Sequence, residues 1–161
     1  GTQEEITTVS IGEGQLAVTL QDIKIVSRLI EGKYPDYRQI IPGTSNAEAL
    51  LDTAAFVQQM RAASIFSTTG VNAVSLGLIP GEGHVALRSA SAQTGEFEAA
   101  LEGDLTGNEY TVLLNHRYAL EGLQHIDTPK VRVKLVSPDA PCVFYPEGKN
   151  DFLYIVMPIK Q

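Results

Sequence analysis

The sequence predicts an α+β fold: a βαβββ unit used twice, with two helices on one face of curved, mostly antiparallel sheets. Three observations predict it. Short apolar or β-branched runs, separated by turn residues, recur along all 161 residues, as they do in chains built from many short strands. Two segments break that rhythm with large apolar side chains three and four residues apart, each opened by a residue suited to cap a helix. The order of elements then recurs, because each helical segment is followed by three strands.

Residues 4–30 read as three strands. Residues 6–11 are β-branched, 16–20 alternate, and 23–30 are rich in aliphatic side chains. Gly12-Glu13-Gly14 joins the first two as a hairpin turn, where glycine is free to take a positive φ. Residues 31–46 read as a linker, broken by Pro35, Pro42, Gly43 and Asn46. A short strand is expected near 49–51. Asp52 or Thr53 then caps a helix running to about Phe66, with Phe56, Met60, Ala63 and Phe66 on the helical spacing. Strands follow near 71–79, 84–91, 94–102 and 109–114. Asn115 caps a second helix to about His125, whose large apolar members are Tyr118, Leu120 and Leu123. Strands near 130–136, 142–146 and 152–158 finish the chain.

The repeat reaches into the first segment. Ser10-Ile11-Gly12-Glu13-Gly14-Gln15-Leu16-Ala17-Val18 mirrors Ile79-Pro80-Gly81-Glu82-Gly83-His84-Val85-Ala86-Leu87. Residues 4–30 therefore read as the three-strand end of a unit whose helix would lie upstream of Gly1, and the chain as a fragment of something longer.

Composition narrows the function. Charged residues make up 19% of the chain and hydrophobic ones 43%, which suits a packed globular protein. There is no run of eighteen apolar residues and no secretion leader is visible, so neither a membrane partner nor export is expected. The single Cys142 excludes an internal disulfide and suits a reducing cytoplasm. A net charge of −7 opposes ordinary nucleic-acid binding, since phosphates require a basic face.

Candidate chemistry is sparse. His84, His116 and His125 form no metal pair by spacing, and each reads as structural or solvated. Cys142 has no histidine nearby and reads as a small buried residue. Glu96, Glu98, Glu102 and Asp104 alternate along one strand, as on a solvated sheet face. The Gly-Glu-Gly turns open no helix and are not phosphate loops. No catalytic residue, metal site or cofactor is expected.

Two segments remain. Gly32-Lys33-Tyr34-Pro35-Asp36-Tyr37-Arg38-Gln39-Ile40-Ile41-Pro42 is an aromatic, proline-rich connector. Tyr154-Ile155-Val156-Met157-Pro158-Ile159-Lys160-Gln161 is an apolar tail, where most domains end in polar residues. Connector and tail, in this order and at this separation, resemble those of the bacterial DNA polymerase III beta-subunit family, the sliding clamps. The resemblance covers essentially the whole chain. It implies a DNA-clamp fold, with 1–46 as the last strands of the middle domain plus the connector and 47–161 as the C-terminal domain.

The resemblance also implies function. The chain would belong to a cytoplasmic, non-catalytic processivity factor that closes around duplex DNA as a homodimer. A closed ring answers the objection of charge, because only its inner wall needs positive potential. Arg61, His116 and Arg117, on the two helices, would face DNA. Ile65 and Phe66 would pack across the dimer seam. The DNA polymerase III catalytic subunit, the clamp loader and repair polymerases would insert short linear motifs, with Gln at the N-terminal end and Leu or Phe at the C-terminal end, into a groove. Matched by position, its residues are Pro35, Gln39, Ile40, Val71, Asn115, Tyr118, Pro141, Ile155, Val156, Met157, Pro158 and Ile159, with Asp139 at the edge. Gln39 departs from the family's frequent arginine, and Gln161 stands where an apolar residue is common. Without the resemblance, connector and tail read as plain core packing. The competing function is a β-rich ligand- or peptide-binding module unrelated to replication.

Overall fold

The computed structural model describes residues 7–34 and 36–160, and the chain divides into two units, one ending at Asp36 and the other beginning at Tyr37. In the first unit, β1 (Thr7–Gly12), β2 (Gln15–Leu20) and β3 (Ile23–Arg28) form an antiparallel meander. Gly14, at φ 77°, makes the first turn with a backbone conformation that side chains with a Cβ resist. Ile11, Ile23 and Ile25 are exposed, because three strands alone cannot cover their own apolar faces. Residue 6, expected in the first strand, lies outside the described residues.

The second unit runs β4 (Ala47–Asp52), α1 (Thr53–Ile65), β5 (Ala73–Ile79), β6 (His84–Ser91), β7 (Gly95–Gly107), β8 (Tyr110–Asn115), α2 (His116–Leu123), β9 (Lys130–Leu135), β10 (Cys142–Pro146) and β11 (Tyr154–Val156). That is a βαβββ unit used twice: β4 to β7 around α1, then β8 to β11 around α2. The strands form one sheet in the order β11-β10-β9-β4-β7-β6-β5-β8, with every neighbour antiparallel.

The pairing obeys the repeat. β4 lies between β7 of its own repeat and β9 of the other. β8 pairs with β5 of the other repeat, and the symmetric arrangement would put β11 on its free side. Among the described residues one backbone bond takes the place of that pairing: the Ile159 N–H donates to the Leu113 carbonyl at 2.8 Å.

Both helices start where a short polar side chain holds a free backbone N–H. The Asp52 carboxylate accepts from the Ala55 N–H at 2.8 Å, which settles the cap of α1 on Asp52 rather than Thr53. The Asn115 side chain accepts from the Arg117 N–H at 3.0 Å. The helices pack against each other and turn Phe56, Met60, Ala63, Ala119 and Leu123 inward onto Leu51, Leu76, Leu87, Leu114 and Phe144. Phe56 of the first repeat meets Phe144 of the second edge-on, with ring centroids 5.9 Å apart. The buried Ser89 hydroxyl donates to the Ala63 carbonyl at 2.7 Å and ties β6 to α1.

Several boundaries shift by one or two residues from expectation, and three differences are informative. β7 runs to Gly107 instead of ending near 102. Its residues 95–102 pair with β6 and 103–107 with β4, so Gly103 sits at the handover. A Cβ at Gly103 would lie 2.7 Å from the Leu50 carbonyl oxygen, so the close approach of β4 requires glycine there. α2 ends at Leu123 rather than His125, as the chain turns to bury Ile126. β11 spans three residues rather than seven, and the apolar run on either side of it leaves the ladder.

The outer face of the sheet is polar. Arg132 on β9 bonds Glu147 at 2.9 Å and Glu48 at 3.3 Å, and Lys134 reaches Glu48 at 3.1 Å. Burial alone would raise the Glu48 pKa, but the Ser45 hydroxyl, Lys134 and Arg132 outweigh it and hold the carboxyl below its ordinary range.

Candidate functional site

Of the predicted groove residues, Val71, Asn115, Tyr118 and Ile159 fall around the C-terminal end of β8. Asn115 ends β8, faces Ala73 of β5 across the ladder and caps α2. The His116 N–H donates to the Asn72 carbonyl at 2.9 Å, which holds the start of α2 against the turn carrying Val71. Leu113, two residues before Asn115, accepts the bond from Ile159. Ile155 and Val156 pair with Val143 and Cys142 on β10, next to Pro141. The tail therefore runs out of the sheet beside Pro141 and arrives against β8.

Exposure divides these residues into wall and support. Val156 is buried and belongs to the core. Ile155, Pro158, Ile159, Asn115 and Pro141 are half-buried. Tyr118 is 57% exposed and Met157 is 56% exposed, although both are large and Met157 is fully apolar. Tyr118, counted from sequence among the apolar members of α2, thus turns outward, while Ala119 and Leu123 face the core. Val71 and Ile40 are also exposed. Gln39 lies in a single 3-10 turn, Tyr37–Gln39, that the Ile40 N–H closes onto the Tyr37 carbonyl at 3.0 Å. Pro35 lies outside the described residues.

A cavity of about 610 Å³ opens beside the tail, lined by Ser75, Thr111, Leu113, Pro138, Asp139, Ile159 and Lys160. Ile159 and the edge residue Asp139 were expected near a groove. Ser75, Thr111 and Leu113 were missed, because only the arrival of the tail on β8 makes them neighbours of it. Gly122 carries a further constraint. A Cβ there would clash with the Tyr154 ring, so glycine lets the last strand pack directly onto α2.

The three residues expected to face DNA separate. Arg61 on α1 and Arg117 on α2 are exposed, whereas His116 is 9% exposed and packs inside the unit. This corrects its assignment to an open helix face: the first residue of α2 points into the layer between helix and sheet. Burial, and secondarily the Arg117 charge, push its pKa below the ordinary value of 6.5. Its Nδ1 has no hydrogen-bond partner among the described residues.

Ile65 and Phe66 also separate. Ile65 ends α1 at 67% exposed, while Phe66 stacks on Phe97 of β7, with centroids 5.7 Å apart and rings 20° from parallel. Residues 95–102 of β7 pair with β6 on one side and with no second strand among the described residues on the other. Glu96, Glu98, Glu102 and Asp104 do line one solvated face of β7. Cys142 is fully buried and its pKa is driven up by desolvation, which makes it an inert thiol. Among the described residues no cluster of three metal-ligating side chains occurs, and no helix is long and apolar enough to cross a membrane.

These features are those of a clamp domain of two βαβββ repeats with its two helices on one face of the sheet. The family model described as DNA polymerase III beta subunit, C-terminal domain, matches residues 38–160, and the chain belongs to that family. Among curated relatives, the beta sliding clamp of Synechococcus elongatus is 28% identical over 148 residues, covering 92% of this chain and 40% of the relative. That of Staphylococcus aureus is 25% identical over 158 residues, covering 98% and 42%. The chain thus spans about two fifths of the length of the curated relatives it matches. Among solved structures, the Pseudomonas aeruginosa DNA polymerase sliding clamp superposes with a TM-score of 0.83 at 21% identity, over 99% of this chain and 43% of that one. The Bacillus subtilis sliding clamp gives 0.81 at 24%, over 100% and 43%. Both likenesses are of fold.

Proposed function

We propose that this chain is part of a replication processivity factor, a sliding-clamp subunit that encircles duplex DNA and tethers polymerases through a peptide-binding groove. The observation that carries the reading is the exit of the tail from the sheet. Met157 is left exposed as the tail leaves β11 for β8, and Val71 and the outward-facing Tyr118 are exposed as well; with Asn115 they would give an adaptable apolar wall with a few polar anchors. Gln39, Ile40, Pro141, Ile155, Pro158 and Ile159 complete the groove in this reading, with the buried Val156 supporting it from the core.

The rest of the assignment follows the same logic. Residues 1–46 are the last strands of a middle domain with its connector, and 47–161 form the C-terminal domain. Duplex DNA is held topologically by a closed ring, so Arg61 and Arg117 need supply only weak, salt-sensitive phosphate contacts. The exposed Ile65, with Phe66 stacked behind it beside the free edge of β7, suits a seam between two subunits. The partners are the polymerase III catalytic subunit, the clamp loader and repair polymerases. The chain itself makes and breaks no bond, works without a cofactor and acts in the cytoplasm.

The test is a titration of the ¹⁵N-labelled chain with a capped pentapeptide, Gln first and Leu-Phe last, followed by NMR. Saturable shifts are expected at Val71, Asn115, Tyr118, Ile40 and Met157 to Ile159. Saturable shifts that cluster elsewhere, or no binding at millimolar peptide, overturn the groove.

A further inference from the structure

The two repeats treat their helix starts alike except in one side chain. The first residue of α1, Thr53, donates its N–H to the Pro129 carbonyl just before β9, at 2.9 Å. The first residue of α2, His116, donates its N–H to the Asn72 carbonyl just before β5, also at 2.9 Å. Both side chains are buried, Thr53 at 8% exposed and His116 at 9%, and both hold a polar atom without a hydrogen-bond partner among the described residues, Oγ1 in one and Nδ1 in the other. The two positions are equivalent in the fold. Only the second can take up a proton near neutral pH.

That second position is the one beside the groove. His116 lies between Asn115, which caps α2, and Arg117, whose N–H that cap holds. Through Asn72 it also fixes the turn that carries Val71. A neutral imidazole can stay in this place. A charged one is poorly hydrated at this depth, finds no acceptor for its Nδ1 proton among the described residues, and sits at the positive end of a helix beside an arginine.

Among the described residues no carboxylate compensates. α2 packs against α1, β8 and β11. Their titratable or charged side chains are Arg61 on α1, Tyr110 on β8 and Tyr154 on β11, and residues 67–72 contribute none. On α2 itself stand Arg117, Tyr118 and Glu121, and of these the Arg117 charge bears on the imidazole and opposes its protonation.

We propose that His116 is a proton-operated latch on the groove: the neutral ring holds the first turn of α2 in place, and protonation releases that turn and weakens peptide capture. This regulation rests on the groove reading above. Its structural half stands apart from that reading, because the turn should move with pH whether or not peptide is present.

The experiment has two arms. In the first, the ¹⁵N- and ¹³C-labelled chain is titrated from pH 8 to pH 5 without ligand, reading the His116 ring together with the amides of Val71, Asn72, Asn115 and Tyr118. The expected result is a ring that titrates below the ordinary histidine range, with those four amides following the same curve. A ring that titrates normally, or amides that ignore it, overturns the proposal even if His116 variants fail to fold. In the second arm, the capped pentapeptide is titrated at pH 7.5 and pH 5.5. Affinity is expected to fall several-fold at the lower pH, to lose that dependence in His116→Val, and to keep it in His84→Asn and His125→Asn. Equal pH dependence in His116→Val overturns the proposal. If no peptide binds at either pH, the groove reading fails, and the first arm still decides whether the latch exists.

Discussion

The first repeat completes its sheet and the second does not. In the first, a 13-residue helix is followed by three strands, and the last of them, 13 residues long, returns to pair with β4. In the second, an 8-residue helix is followed by three strands of which the last has 3 residues, and its return to β8 is reduced to the bond from Ile159 to Leu113. A finished ladder buries its side chains in regular alternation. An unfinished one does not: where the second repeat falls short, Met157 is exposed and Pro158 and Ile159 are only half-buried. The candidate groove is thus a defect in the repeat, placed next to the first turn of α2.

The comparison breaks most severely if the two halves share no core. Phe56 and Phe144 join them edge to edge, and both are fully buried. Phe144→Ala and Phe56→Ala should each cost about 3–5 kcal/mol in urea unfolding. The pair should also show a coupling of about 0.5–1.5 kcal/mol in a double-mutant cycle. Additive losses would mean that the repeats pack independently.

Gly122 sets two effects against each other. Replacing a helical glycine with alanine normally stabilises by about 1 kcal/mol. Here the new methyl would enter the Tyr154 ring, and overpacking costs about 1–3 kcal/mol. The steric effect should win, so Gly122→Ala lowers stability, and a second change, Tyr154→Ala, should restore the helix benefit. A stabilised Gly122→Ala would show that β11 does not rest on α2.

Removing Met157 to Gln161 tests the defect itself. Val156 stays, so the core keeps its last strand. The loss is one backbone bond and the half-buried Pro158 and Ile159, on the order of 1–2 kcal/mol. Peptide capture should disappear. A truncated chain that still binds the pentapeptide with unchanged affinity places the groove elsewhere.

Much of this architecture was legible in the sequence, for reasons that also explain the rest. Asn115 was readable as a cap, and the other cap was narrowed to Asp52 or Thr53, because capping is local chemistry. The two helices and most strands followed from the spacing of apolar residues, and the repeat followed from their order. β7 was cut short because Gly103 has the sequence appearance of a strand end, while its role, admitting Leu50 closely, depends on a strand fifty residues away. His116 was assigned to an open helix face by the resemblance alone, and nothing local in the sequence announces its burial. Ser75, Thr111 and Leu113 gave no signal at all, since only the path of the tail across β8 brings them to it.

Acid should act on two places in different windows. His116 has a folded pKa below its unfolded value, so the stability it confers is present above about pH 6.5 and declines as the pH falls below that. Glu48 has a folded pKa below its ordinary 4.5, so the contribution of its network with Arg132 and Lys134 declines only as the pH falls below that value. Unfolding midpoints measured from pH 8 to pH 3 should therefore drop in two stages. His116→Val should remove the upper stage and Glu48→Gln the lower. A single stage that both variants shift would show one coupled network instead.

The smallest effect is the most selective. Thr53 and His116 occupy equivalent positions, and each keeps a buried polar atom without a partner among the described residues. A threonine hydroxyl buried without a bond is a standing cost, and valine has nearly the same shape without it. Thr53→Val should therefore be neutral or stabilising, by no more than about 1 kcal/mol, at every pH from 8 to 5. His116→Val should gain stability that grows as the pH falls, because in that variant the proton has no site to compete for. Measured side by side, the two substitutions separate the cost common to both helix starts from the part that belongs to a titrating ring. If Thr53→Val destabilises, the hydroxyl has a partner, such as water, and the two helix starts are less alike than their backbone bonds make them. If both variants gain equally and without regard to pH, the equivalence holds and the imidazole is only a poorly fitting core residue.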